Sequence, residues 1–349
     1  MGAFSANLPI SFFEHAILNE HLLFQNGSVL MSIDIEDYRT EYVLNDDLWL
    51  KSHNADQMLS QGNYLYMLSR AENEIARLDI MTGKCDVLYT CKGGLGYIHT
   101  FRLHEGNLYV IYKSGLIVCL LPDGTRKEYV DSNIKECRTV LNGDKDDELY
   151  LLDKRCPYIT CFKVGSDEFK RKKLPFVPTL KDSVSVSDHK LYVIHDKELT
   201  ICNLIDSGYE QYEIITNESS IEKSYPVVLK NVMYLLPTFG DKIMCLRLLS
   251  KELEALDAYP MDYKQTCTEY FAKNGSKYCG YKRCKGRLYF PCRISDYMMI
   301  IDENTEKIEW KKIEMPPIEQ TLEFAMNTSG MIYENTEMNL NAFLNVLRK

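Results

Sequence analysis

The chain has 349 residues, of which 45% are hydrophobic and 26% are charged, so it can bury a sizeable core and is not expected to be disordered. Its net charge of −9 is unfavourable for nonspecific binding to nucleic acid or to an anionic membrane, and we expect neither partner. No apolar run approaches the roughly 20 residues that a membrane-spanning helix needs.

The first residues and the cysteines bear on the cellular compartment. The segment MGAFSANLPISFFEHAIL has no basic stretch, and Glu14 and His15 interrupt its apolar part, so we expect no secretory signal. Twelve cysteines without such a signal favour reduced thiols over a disulfide framework. We therefore predict a cytoplasmic protein.

A repeated pair of residues runs along the chain. Each unit has an apolar residue followed by an aromatic one inside a short apolar run. The pairs are Leu23-Phe24, Leu65-Tyr66, Leu108-Tyr109, Leu149-Tyr150, Leu191-Tyr192, Met233-Tyr234, Leu288-Tyr289 and Ile332-Tyr333. Successive aromatic residues are 42, 43, 41, 42, 42, 55 and 44 positions apart. This period indicates a repeat architecture, in which each unit is one supersecondary structure.

The interior of each unit repeats as well. In one unit YIHTFRL precedes NLYVIY, and then follow GLIVCLL, a turn at Asp123-Gly124, and RKEYV. Short β-rich runs separated by Gly, Asn, Asp and Ser are typical of hairpins. Four strands in about 42 residues predict the blade of a β-propeller, an all-β fold.

Two segments carry a family resemblance. LYMLSRAENEIARLDIMTG and LYVIYKSGLIVCLLPDG resemble the repeats of quinoprotein-like and YVTN-type β-propellers. The chain has neither the Trp-Asp dipeptide of tryptophan-aspartate (WD40) repeats nor the paired glycines of kelch blades. It also lacks the repeated Trp of true quinoproteins, which argues against a pyrroloquinoline quinone enzyme. The resemblance covers nearly the whole length, implies the fold, and leaves the function open.

The number of blades follows from how the ring closes. Eight aromatic pairs allow eight blades, but the last unit stops after about two strands, so we predict seven. In that arrangement TLEFAMN and GMIYE would pair with strands of the N-terminal unit and remove an open sheet edge. We predict one domain over residues 1–349, with residues 335–349 forming an amphipathic capping helix.

The inner strands of a propeller surround its central channel, where side chains of different blades meet. The candidates on or just before these strands are His15, His53, His99, Arg138, Tyr225 and Glu323. One hypothesis is a divalent-cation site formed by His15, His53 and His99 with Glu14, Asp56 or Glu323 as carboxylate partners. Such a site would support a metal-dependent hydrolase or lyase of lactonase type. We favour the alternative, that each histidine packs between strands and forms local hydrogen bonds.

The same surface could bind a ligand without catalysis. Aromatic rings and a guanidinium group suit a protein, peptide or carbohydrate ligand. The residues concerned are Tyr97, His99, Arg138, Tyr225 and Glu323. The chain has no GxxxxGK[ST] loop, no GxSxG elbow and no HExxH pair. We therefore predict a non-catalytic binding module without a cofactor, with the cation-dependent enzyme as the alternative.

The cysteines fall into two groups. Cys119, Cys161, Cys202 and Cys245 follow their repeat aromatic residue by 10 or 11 positions and read as small core residues. The second group consists of Cys267, Cys279 and Cys284 in the long interval between Tyr234 and Tyr289, and of Cys292 just after it. This group has no CxxC pair, so unrelated thiols are favoured over a zinc or iron–sulfur site, and both remain open.

The basic cluster Lys170-Arg171-Lys172-Lys173 stands out in an acidic chain. Its position in the repeat predicts the outer strand of a blade, where charge protects a free sheet edge. We assign it no function from the sequence.

Overall fold

The computed structural model describes residues 14–26, 29–43, 49–91, 96–134, 136–142, 147–153, 156–166, 168–179, 182–206, 208–217, 221, 224–237, 242–256, 259–261, 278, 280–292, 295–314, 316–317 and 319–320. Within these ranges the chain forms seven four-stranded antiparallel sheets, each made of consecutive strands. The protein is a seven-bladed β-propeller, as the repeat predicts.

The first four blades cover residues 15–173. Blade 1 consists of β1 (His15–Leu18), β2 (His21–Asn26), β3 (Val29–Asp34) and β4 (Thr40–Tyr42). Blade 2 consists of β5 (Gln57–Gln61), β6 (Tyr64–Ser69), β7 (Glu74–Asp79) and β8 (Cys85–Thr90). Blade 3 consists of β9 (Ile98–His104), β10 (Asn107–Tyr112), β11 (Ile117–Leu120) and β12 (Arg126–Tyr129). Blade 4 consists of β13 (Cys137–Asn142), β14 (Glu148–Asp153), β15 (Tyr158–Lys163) and β16 (Glu168–Lys173).

The other three blades cover residues 183–312. Blade 5 consists of β17 (Ser183–Ser187), β18 (Lys190–His195), β19 (Glu198–Asn203) and β20 (Tyr209–Glu213). Blade 6 consists of β21 (Ser224–Leu229), β22 (Val232–Pro237), β23 (Ile243–Arg247) and β24 (Leu253–Leu256). Blade 7 consists of β25 (Lys282–Cys284), β26 (Arg287–Pro291), β27 (Tyr297–Asp302) and β28 (Ile308–Lys312).

A single helical turn, α1 (Trp49–Ser52), connects blades 1 and 2. The described residues include no helix that is long and apolar enough to cross a membrane. The capping helix predicted for residues 335–349 lies outside the described residues, as does the Ile332-Tyr333 pair.

The repeat aromatic residue marks the second strand of every blade. In blades 1 to 7 it lies on β2, β6, β10, β14, β18, β22 and β26. These strands are covered on both faces by neighbouring blades, so their side chains are apolar almost throughout; all six residues of β22 are buried. The fourth strands lie at the outer edge of the sheets, and the most polar of them is β16, where Lys170 and Arg171 are exposed.

The hydrophobic core is divided among the interfaces between blades. The described residues form seven buried clusters, and each combines side chains of two adjacent blades. In one of them Leu22, Phe24 and Met31 of blade 1 pack with Tyr289 and Met298 of blade 7. This interface, which we call the seam, closes the ring.

The seam differs from the expected closure. We predicted that C-terminal strands would complete an N-terminal blade, and those segments lie outside the described residues. Blade 1, however, has all four of its strands from residues 15–42. Among the described residues the seam is held by side-chain packing and by a hydrogen bond from the Thr40 hydroxyl to the Glu314 carbonyl.

The equivalent cysteines are core residues. Cys119, Cys161 and Cys245 pair across the sheet with the repeat aromatic of their blade, whereas Cys202 pairs with Leu191, one residue away. Burial raises the pKa of the Cys161 and Cys202 thiols to about 11, so both are neutral thiols near pH 7. In the second group Cys292 is buried and Cys284 half-buried, while Cys267 and Cys279 lie outside the described residues.

Tight two-residue turns join the first and second strands of blades 1, 2, 3, 5, 6 and 7. In blade 5, Asp188 and His189 form the turn with φ of 48° and 52°, a conformation that costs a residue with a Cβ about 1 kcal/mol or more. Replacing His189 by glycine is therefore expected to raise the free energy of unfolding by about 0.5 kcal/mol, after allowance for the greater freedom of glycine in the unfolded chain. Urea titration measures this gain. His189→Ala keeps the Cβ and is expected to show none, so equal gains in both variants would contradict the role assigned to the turn conformation.

Candidate ligand-binding site

The pairing of the first two strands shows which inner-strand residue lies opposite the repeat aromatic in each blade. We take these opposite residues to lie at the same depth along the channel. The inner-strand residue opposite the repeat aromatic is His15 in blade 1, Arg102 in blade 3 and Lys282 in blade 7. Glu14 and Tyr281 precede this level by one residue on their own blades. Tyr225 precedes its equivalent, Val227, by two. At about 3.3 Å per residue, these positions fall within about 7 Å of one another along the channel axis.

We call Glu14, Arg102, Tyr225, Tyr281 and Lys282 the channel cluster. Lys282 extends from blade 7 past blade 1, and its Nζ donates a hydrogen bond of 3.2 Å to the Met58 carbonyl on blade 2. The same Nζ lies 3.8 Å from Glu14 Oε1. The Tyr225 and Tyr281 rings meet edge to face with centroids 6.3 Å apart. Side chains of blades 1, 3, 6 and 7 therefore converge in the channel.

The protonation states in this cluster follow from burial. Burial lowers the pKa of Lys282, and Glu14 opposes that effect, whereas the nearby Arg102 charge adds to it. Burial, followed by the neighbouring Tyr281 and Glu14, raises the pKa of Tyr225, so its phenol is a neutral donor at pH 7. Of the described residues in this cluster two are cations and one is a carboxylate. These residues therefore carry a positive excess inside an acidic protein, which suits an anionic group.

Of the predicted ligand-binding residues, Tyr225 belongs to the channel cluster and keeps 41% of its surface exposed. Tyr97 is 66% exposed and directly precedes β9. His99 and Arg138 occupy β-bulges of β9 and β13, where the pairing with the second strand skips one residue. The Arg138 side chain and the whole of Glu323 lie outside the described part of the chain.

The three histidines of the proposed cation site lie in different surroundings. His15 is completely buried on β1, and neither ring nitrogen has a hydrogen-bond partner of good geometry among the described residues. Burial, followed by the Lys282 charge, lowers the pKa of His15 far below its usual value, while the Tyr289 main chain opposes this slightly. His15 is therefore neutral at pH 7.

His53 has a local structural environment. Its ring stacks on Trp49 with centroids 4.6 Å apart, and Nδ1 lies 2.9 Å from the Trp49 carbonyl and 2.8 Å from the Ser52 hydroxyl. Its Nε2 lies 3.4 Å from Glu74 on the third strand of blade 2. These contacts hold the imidazole between blades rather than in the channel.

His99 is three residues before the level of His15 and Arg102, or about 10 Å along the strand. Burial, followed by the Arg70 charge, lowers the pKa of His99. The structure therefore does not bring the three imidazoles together at one level. Among the described residues no group of three or more His, Cys, Asp or Glu side chains is placed to hold a metal ion.

The sequence reasoning missed Lys282, Arg102 and Tyr281. Lys282 and Arg102 both precede their repeat aromatic by seven positions. Counting back from the aromatic through the two-residue turn would have found both. The other candidates lie 9 to 13 positions before their repeat aromatic. At these distances some lie on the inner strand and others on the segment that precedes it.

The fold is shared with proteins of several functions. A streptogramin B lyase structure is 14% identical, with a TM-score of 0.57 over 89% of this chain and 97% of that one. A structure of YCF48 bound to D1 peptide is 10% identical, with a TM-score of 0.59 over 83% of this chain and 92% of that one. A chain of a mitotic checkpoint complex is 9% identical, with a TM-score of 0.54 over 90% of this chain and 94% of that one. At these identities the likeness shows the propeller fold alone.

No family model and no curated protein sequence matches the chain.

Proposed function

We propose that this protein is a non-catalytic binding module that takes a short segment of a partner protein into the mouth of its central channel. The observation that carries the proposal is the channel cluster, in which two cations, one carboxylate and two tyrosine rings from four blades converge. The propeller neighbours include a peptide complex and a multiprotein assembly, which supports a protein as the partner.

The chemistry of the cluster suggests what the segment carries. Lys282 and Arg102 outnumber Glu14, so an acidic side chain or a chain-terminal carboxylate would balance the charge. The edge-to-face pair of Tyr225 and Tyr281 offers an apolar wall with a neutral phenol at its rim. A peptide that places a carboxylate next to an apolar or aromatic side chain fits both features.

Selection from a random dodecapeptide library on the immobilised full chain tests the proposal. Enriched peptides are expected to carry a carboxylate, and their affinity is expected to fall at least tenfold with Lys282→Met, since the ammonium group is lost and the stem is kept. Tyr225→Ala is expected to weaken binding severalfold. The control is Lys127→Met on the exposed outer strand β12. Failure to enrich any peptide over the blank support, or equal affinity in all variants, would contradict the proposal.

The same variants distinguish the other predicted ligands. A carbohydrate would use the faces of Tyr225 and Tyr281, and its binding on a glycan array would respond to Tyr225→Ala but little to Lys282→Met. A divalent-cation hydrolase or lyase remains the alternative from the sequence, although no arrangement of the described residues favours it over binding. The cytoplasm remains the predicted location.

A further inference from the structure

A second surface lies on the perimeter of the ring, between blades 4 and 5. A cavity of about 250 Å³ opens there between the outer strand β16 and the strands β19 and β20. We call it the perimeter groove and define it by Lys172, Pro175, Cys202, Asn203 and Tyr209. Tyr209 is 55% exposed at its rim. The channel cluster, by contrast, is built on inner strands at the centre of the ring.

The Lys172 ammonium group in this groove is unsatisfied. Its Nζ is buried and has no hydrogen-bond acceptor among the described residues. Burial lowers the pKa of Lys172, while Asp206 and Cys202 oppose that effect from a distance. A buried cation without an acceptor is destabilising unless a ligand supplies one.

The neighbouring acceptors are already engaged or neutral. The Asp206 carboxylate accepts hydrogen bonds from Asn203 Nδ2 at 3.0 Å and from the Gly208 amide at 2.9 Å. The Cys202 thiol is neutral because burial raises its pKa to about 11. Lys172 Nζ therefore has no hydrogen-bonded acceptor among the described residues, although the Asp206 carboxylate contributes a negative charge nearby.

The surroundings of the groove extend this positive charge. Lys170, Arg171 and Lys173 flank Lys172 on β16, which is the outer strand of its sheet. Arg171 lies over the Tyr158 ring, 3.9 Å from its centroid, on the face of β16 opposite to Lys172, so its charge reaches the groove only around the strand edge. In a chain with a net charge of −9, this strand is a local basic surface that attracts acidic partners.

The size of the cavity points to a side chain rather than a free metabolite. Pockets for drug-sized ligands usually enclose about 300–1,000 Å³, which is more than this cavity offers. We propose that the perimeter groove binds an acidic segment of a partner protein, with an Asp or Glu carboxylate in the cavity against the Lys172 ammonium and flanking acidic residues along β16. This site is separate from the channel mouth and does not depend on the function proposed there.

Fluorescence anisotropy with a labelled ten-residue peptide of alternating Glu and Thr tests the proposal. The full-length protein is expected to bind it at least tenfold more tightly than the matched peptide with Gln in place of Glu. Lys172→Met is expected to abolish that preference, and Tyr209→Ala, an exposed change at the rim, is expected to weaken binding about threefold. Thermal melting of Lys172→Met is expected to show a folded protein, because the change removes a buried unpaired cation.

Two control variants distinguish binding in the perimeter groove from general charge attraction and from binding in the channel. Lys127→Met, on the outer strand of blade 3, and Lys282→Met, in the channel, are both expected to leave the affinity unchanged. If Lys127→Met weakened peptide binding as much as Lys172→Met, general electrostatic attraction would account for the binding. If Lys282→Met weakened peptide binding, the peptide would be bound in the channel. Either result overturns the proposal. Competition by free glutamate or inorganic phosphate at the same concentration as the peptide would also overturn it, since the site would then bind small anions.

Discussion

Replacing Gln57 by leucine is expected to lower the free energy of unfolding by about 3 kcal/mol or more. Gln57 is a buried residue at the start of β5, and its amide bridges blade 2 to blade 3. Its Oε1 accepts hydrogen bonds from the Thr100 hydroxyl at 2.7 Å and the Phe101 amide at 3.1 Å. Its Nε2 donates to the Phe101 carbonyl at 3.0 Å. Leucine would leave the Phe101 amide and the Thr100 hydroxyl proton without an acceptor, at about 1–3 kcal/mol each, whereas Arg102 still donates to the Phe101 carbonyl and the Thr100 oxygen.

Urea-induced unfolding followed by circular dichroism measures this loss. The matched control is Gln61→Leu at the exposed end of the same strand, where a change of less than about 0.5 kcal/mol is expected. If the two variants were equally stable, the bridge between blades would contribute nothing measurable and the prediction would be wrong.

His15 is expected to make the stability of the protein fall in mild acid. Because burial and Lys282 lower its pKa in the folded state, the unfolded chain binds the proton more tightly. The stabilising contribution is complete above the ordinary histidine pKa of about 6.5 and declines as the pH falls below it, by up to about 1.4 kcal/mol per pH unit. At pH 5 the loss from this residue is about 2 kcal/mol.

His15→Leu removes the titrating group and is the variant that isolates this effect. Between pH 7 and pH 5 the unmodified protein is expected to lose about 2 kcal/mol of unfolding free energy that His15→Leu does not lose. All other titrating groups are shared by the two proteins, so their contributions cancel when the two are compared. A pH-independent difference for His15→Leu would mean that folding does not change the pKa of His15, and the prediction would be wrong.

The blades were predictable from the sequence because their signal is redundant. The aromatic pair lies on the second strand, which neighbouring blades cover on both faces, so every unit must repeat the same buried run. A spacing of 41 to 43 residues between Phe24 and Tyr234 leaves room for one four-stranded sheet at each repeat. The basic cluster at residues 170–173 also falls on an outer strand, as its position in the repeat predicted.

The channel cluster was less predictable because it depends on the register of several inner strands at once. A shift of one residue turns a side chain to the other face of the strand. His99 and Arg138 show the difficulty, since each is the extra residue of a β-bulge that no spacing in the sequence reveals. Lys282 adds a second difficulty, because it meets a carbonyl on blade 2 rather than a group of its own blade.

The seam between blades 1 and 7 has a consequence for how the protein folds. Every blade is a run of consecutive hairpins, and six of the seven interfaces join blades that are neighbours in the chain, so their contacts form locally. The seam instead joins Phe24 to Tyr289, which are 265 positions apart. Bringing these two blades together costs more loop-closure entropy than forming any other interface between blades. We therefore expect the ring to stay open until blades 1 and 7 pack against each other, and the contacts between these two blades to be the last to form in the folding reaction.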